Sequence, residues 1–269
     1  MFSAVERETA MYLSDDSALG EHKKWVHRRR PVAGSGDARS RMAGLGALGV
    51  PVMDVQCPNP PGCSPLDPAG CAAAIRDAVR ESIRLANNAA AKLEALIGVP
   101  VASRDADARR TAERFRRFFG HDPLNPVTWA GNEESAVSVA KRFRAVAREL
   151  NGGRRVTFHC RPTTTPCPNN DLTCCSTTNN AWFSTGVRNG INLCDGFWNP
   201  PANIPARLSV RRFRAAIIIH EMLHMLYEHL RDDGHGRIRA ACYEAFALRA
   251  GGLPADPFDI CQCKGTPCP

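Results

Sequence analysis

From residue 71 to residue 97 the apolar positions Ile75, Val79, Ile83, Leu93 and Leu96 recur at helical spacing in an alanine-rich background, and Gly98 and Pro100 end the run. A second helix is predicted from Ser103 to Phe119, closing on Phe115, Phe118 and Phe119 before Gly120 and Pro123. Asn132 reads as the cap of a third, with Glu133 and Glu134 at its positive end and Val139, Phe143 and Val146 as its buried stripe, up to Asn151-Gly152-Gly153. The period then changes. Val156-Thr157-Phe158, Ala181-Trp182-Phe183-Ser184 and Ile191-Asn192-Leu193 are short β-prone runs bounded by Asn, Gly and Pro, which predicts three strands in a small sheet. Leu208 to Leu230 is helical again, and Ile217-Ile218-Ile219 sends it through the core; a final helix is expected from Arg237 to Ala250. The order implies an α+β domain.

That domain is expected over residues 71–250. Residues 1–70, rich in Gly, Pro, Ser and mixed charge, read as a flexible leader or propeptide that adds little to the core, and residues 251–269 as a Cys- and Pro-rich tail. A chain of 269 residues with 43% hydrophobic and 23% charged side chains is ordinary globular material, and no run of apolar residues is long enough to span a membrane. A monomer is expected.

The net charge of +8 comes largely from arginines in the predicted helices, such as Arg109-Arg110, Arg116-Arg117, Lys141-Arg142 and Arg211-Arg212. Without the aromatic and basic interleaving of single-strand binders, this reads as a solvated basic surface, and no nucleic-acid partner is expected. Twelve cysteines, most of them among Pro, Asn and Thr, read as disulfides and hence as a secreted protein. Met1 to Gly20 lacks the apolar core of a signal peptide.

The chemistry concentrates at His220-Glu221-Met222-Leu223-His224. Residues four apart share one helix face, so both imidazoles can reach one zinc ion, and Glu221 beside them can take a proton from a water molecule. Burying two histidines and a glutamate in so apolar a helix would be costly without such a partner. A hydrolytic zinc needs a third protein ligand. The segment Asp232-Asp233-Gly234-His235-Gly236 offers aspartates, and Glu244 stands twenty residues after His224.

Ile191-Asn192-Leu193-Cys194 with Phe197-Trp198, followed by Ile217 to His224, resembles the deuterolysin and peptidyl-lysine metalloendopeptidase family, the aspzincins. The resemblance extends back to Phe118-Phe119-Gly120 and to Val156 through Cys160, so it spans roughly residues 73–250 with gaps. It implies a zincin-like metalloprotease domain whose zinc-dependent endopeptidase activity uses one catalytic zinc and acts on protein or peptide substrates. His220, His224 and Asp232 would hold the zinc, with Asp233 as the other candidate, and Glu221 would be the general base. The family's aspartate segment, GTxxDxxYG, carries a tyrosine that stabilises the transition state; His235 takes its place, and the GT pair is missing. Tyr243-Glu244-Ala245-Phe246-Ala247 is similar to the family's closing helix and makes Glu244 a substrate-pocket residue, although Ala241 replaces an aspartate there and weakens any lysine preference. The spacing of Glu244 also fits the third ligand of thermolysin-like enzymes. A non-catalytic secreted module that keeps zinc for structure is the alternative function.

Overall fold

Helix α1 (Pro68–Glu94) buries Ile75, Val79, Ile83, Ala86, Ala90 and Leu93 along one stripe, as the spacing of its apolar residues predicts. The computed structural model describes residues 53–57, 68–129, 131–161, 181–184, 190–200, 204, 207–230 and 240–255, all within the unit Ala47–Pro269. A 3-10 turn at Val101–Ser103 leads into α2 (Ala106–Phe119), where the Asp105 carboxylate accepts the Ala108 N–H at 2.7 Å. Gly120 ends α2 at φ 78°, a left-handed conformation that suits a residue without Cβ.

The next segment departs from the expected cap. Asn132–Glu134 is not the start of a helix but strand β3, paired antiparallel with β2 (Val127–Trp129), and α3 runs from Ala136 to Arg148. Ser135 is the cap: its Oγ accepts the Ser138 N–H at 3.3 Å, and Ser138 Oγ accepts the Ser135 N–H at 2.7 Å. This reciprocal pair satisfies two donors where a lone asparagine would satisfy one. Glu134 is consequently no exposed first-turn acid but a fully buried side chain facing α3.

The three expected strands are β4 (Val156–Cys160), β5 (Ala181–Ser184) and β6 (Gly190–Leu193), and a fourth, β1 (Met53–Gln56), joins them in the order β1-β4-β6-β5. β1 and β6 lie parallel to β4, while β5 runs antiparallel to β6. β1 falls within the stretch read as leader, and its Met53 and Val55 pack against the core. Four residues that alternate apolar and polar for only two periods are too short a pattern to stand out, and the partner strand lies about a hundred residues further on. A Cys57–Cys160 disulfide joins β4 to the residue after β1, and Cys71, Cys194 and Cys242 are disulfide-bonded too. Among the described residues no cysteine is free, and no helix is long and apolar enough to cross a membrane.

After a single turn, α4 (Asp195–Trp198), comes α5 (Val210–Leu226), capped by Ser209, and then α6 (Ala240–Ala250). α5 is buried nearly all round, from Phe213 through Ile217, Ile218 and Ile219 to Met222 and Leu223, and packs against α1, α3, α6 and β5. Two polar contacts fix it on α1: Ser82 Oγ lies 3.0 Å from the Ala215 carbonyl oxygen, and the buried Glu81 carboxylate faces Arg84, Arg211 and Arg212. α5 stops at Leu226, four residues before the expected end, because Tyr227 leaves helical geometry at φ −141°. A turn from Tyr227 to Leu230, closed by the Leu230 N–H on the Tyr227 carbonyl at 2.9 Å, replaces the last expected helical turn.

Candidate active site

His220, Glu221 and His224 lie in the buried second half of α5, with Glu221 only 5% exposed. The four-residue spacing brings both rings to one face, and their Nε2 atoms approach to 3.1 Å with the ring planes at 69°. The outer nitrogens face elsewhere. His224 Nδ1 lies 2.9 Å from the Leu230 carbonyl oxygen, and His220 Nδ1 lies 3.4 Å from Oε2 of Glu244 on α6.

These partners decide the tautomers. A carbonyl oxygen only accepts, so His224 carries its hydrogen on Nδ1 and presents a lone pair at Nε2. A carboxylate beside His220 Nδ1 favours the same arrangement there. Two lone pairs facing each other across 3.1 Å repel, and either a shared proton or a metal cation between the two nitrogens removes that repulsion. Two nitrogens held tetrahedrally at zinc–nitrogen distances of about 2.0–2.1 Å would sit about 3.3 Å apart, so the pair fits a zinc ion. Among the described residues no group of three His, Cys, Asp or Glu side chains is arranged to hold a metal. Asp232, Asp233 and His235 lie outside the described residues. Glu244 is described. It is 4% exposed, not an ordinary surface glutamate, and it approaches the side of His220 away from the paired Nε2 atoms.

The sequence model of the lysine-specific metallo-endopeptidase family matches residues 104–242, more than half of the chain. The chain belongs to this family, the aspzincins. The aspzincin match takes in α2 through α5 and ends at Cys242, so Glu244 lies just beyond it. No curated protein and no solved structure matches the chain. Membership makes the chain a metallo-endopeptidase of a zinc-dependent family acting on protein or peptide substrates.

A second group of polar side chains joins β3, α3 and α6. Arg142, which the sequence places on a solvated basic surface, is buried. Its Nη1 donates both to Glu134 Oε2 and to the hydroxyl of Tyr243, and that hydroxyl donates to Glu134 Oε2 at 3.2 Å. Burial pushes the Tyr243 phenol well above its ordinary value, so it stays protonated. The other carboxylate oxygen, Oε1, lies 3.7 Å from Nε2 of His229. His229 thus faces a buried acid; burial, then the nearby Arg142, hold its pKa below the ordinary histidine range. One signal was available in the sequence: Arg142 follows Val139 by three residues and precedes Phe143 on the apolar face of α3. Nothing in the sequence could point to the Leu230 carbonyl, because a backbone atom has no residue type.

Proposed function

We propose that this aspzincin is a secreted, monomeric zinc endopeptidase with a zincin-like site, in which His220, His224 and Asp232 hold one zinc ion and Glu221 is the general base. The observation that carries this reading is the pair of Nε2 atoms 3.1 Å apart, each with its Nδ1 facing an acceptor. When bound, zinc supplies the positive charge that polarises the scissile carbonyl and makes water easier to deprotonate. Glu221 takes the proton of the attacking water on its carboxylate and passes it to the leaving amine. His235, the residue at the family's tyrosine position, would donate to the developing oxyanion.

Asp232 as third ligand is supported by the family resemblance, in which the aspartate of the segment after the two histidines completes the zinc site. Asp233 is the competing ligand. Glu244, which the family resemblance assigns to the substrate pocket, has a contact that favours orienting His220 instead. Ala241 stands where the family's pocket aspartate would be, so the proposal includes no lysine preference. The disulfides support action outside a reducing cytosol.

The test is Glu221→Gln in the zinc-loaded protein. Casein or peptide cleavage should fall by about a hundredfold to ten-thousandfold with one zinc per chain retained. Wild-type protein that holds zinc yet cleaves nothing would instead identify a structural zinc module.

A further inference from the structure

Both outer imidazole partners belong to segments that a single buried side chain touches. The Leu230 carbonyl ends the turn that begins at Tyr227, and Arg142 Cζ lies 5.4 Å from the centre of the Tyr227 ring. Glu244 follows Tyr243, whose hydroxyl receives Nη1 of the same arginine and whose ring centre is 5.9 Å from its Cζ. Glu134 neutralises Arg142 and also faces His229, the residue next to Leu230. The turn that follows α5 and helix α6 thus meet at one guanidinium on α3.

We propose that Arg142, with Glu134 as its counter-ion, is the positioning residue for the two metal-site imidazoles: it holds the Tyr227–Leu230 turn against His224 and the Tyr243–Glu244 segment against His220. The inference rests on the zinc-site reading of those histidines. Arg142 touches no reacting atom. Its effect runs through the orientation of the Nδ1 partners, which in metal sites governs both the tautomer and the basicity of the ligand. A planar guanidinium suits the task because it can lie against two aromatic rings while donating in its plane, whereas a lysine ammonium supplies charge without that geometry.

The experiment uses the full-length chain in three variants: Arg142→Lys, which keeps the charge opposite Glu134; Tyr243→Phe, which deletes only the hydroxyl; and Glu81→Gln, a control that neutralises a buried carboxylate facing Arg84 and the first turn of α5, about two helical turns before His220. Zinc affinity is measured by chelator competition on protein shown to be folded by circular dichroism, and the His220 and His224 ring protons are followed by NMR in metal-free protein. Arg142→Lys and Tyr243→Phe should weaken zinc binding by about tenfold to a hundredfold and shift or lose the Nδ1–H resonances. Glu81→Gln should lower stability and leave both readouts unchanged. Wild-type zinc affinity and unchanged ring protons in the first two variants would overturn the inference, and if Arg142→Lys does not fold, Tyr243→Phe decides alone. Wild-type protein with the ring protons in place but no affinity for zinc would overturn the zinc reading, and with it any metal-site role for Arg142.

Discussion

His220 and Glu244 come from different helices, yet Nδ1 of the histidine lies 3.4 Å from Oε2 of the glutamate, and both side chains are largely buried. The contact separates three roles for Glu244. As an orienting partner, Glu244→Gln should weaken zinc binding by about tenfold while the folded protein still takes up one zinc. As a direct ligand its loss would abolish stoichiometric binding, and as a lysine-pocket residue it would raise KM for lysyl peptides without changing zinc affinity. Chelator competition together with kcat and KM on matched lysyl and alanyl peptides distinguishes these results.

The Cys57–Cys160 disulfide encloses a separation of 103 residues and ties the edge strand β1 to β4. Cross-linking so long a loop restricts the unfolded chain strongly, so replacing both cysteines by serine should cost about 2–5 kcal/mol. Urea denaturation of the double variant measures this, and a loss below about 0.5 kcal/mol would mean that β1 contributes little to the folded domain.

Acid should unfold the protein in part through Glu81. The paired hydrogen bonds from Arg84 hold its carboxyl below the ordinary glutamate range against the opposing effect of burial, and Arg211 and Arg212 add to them. A carboxyl more acidic in the folded than in the unfolded chain contributes its full stability above the unfolded pKa, about 4.3, and loses it as pH falls through the folded value. Glu81→Gln should therefore be less stable than wild type at pH 7 by about 1–3 kcal/mol. The gap should close below about pH 4, as wild-type Glu81 gains its proton. A gap that stays constant from pH 7 to pH 3 would show that Glu81 is not the titrating group.

The sequence alone determined the elements with long or regular periods. α1 could be read because 3.6-residue periodicity persists over many turns, α5 because a long apolar run marks a helix through the core, and β4, β5 and β6 because β-prone residues stand between clear breaks. It also put His220 and His224 on one helix face, since that relation needs only local geometry. Tertiary structure decided everything that depended on a distant partner. Met53–Gln56 became a strand only because β4 offers a parallel edge, and Glu134 lost its place in a helix to the Ser135 cap and was buried opposite Arg142. Which group faces each Nδ1 was decided in the same way, by how the turn at Leu230 and helix α6 pack against α5. Local spacing sets the direction in which a side chain leaves its own helix, but its hydrogen-bond partner and burial depend on which other element arrives there, and that is a property of the packed chain.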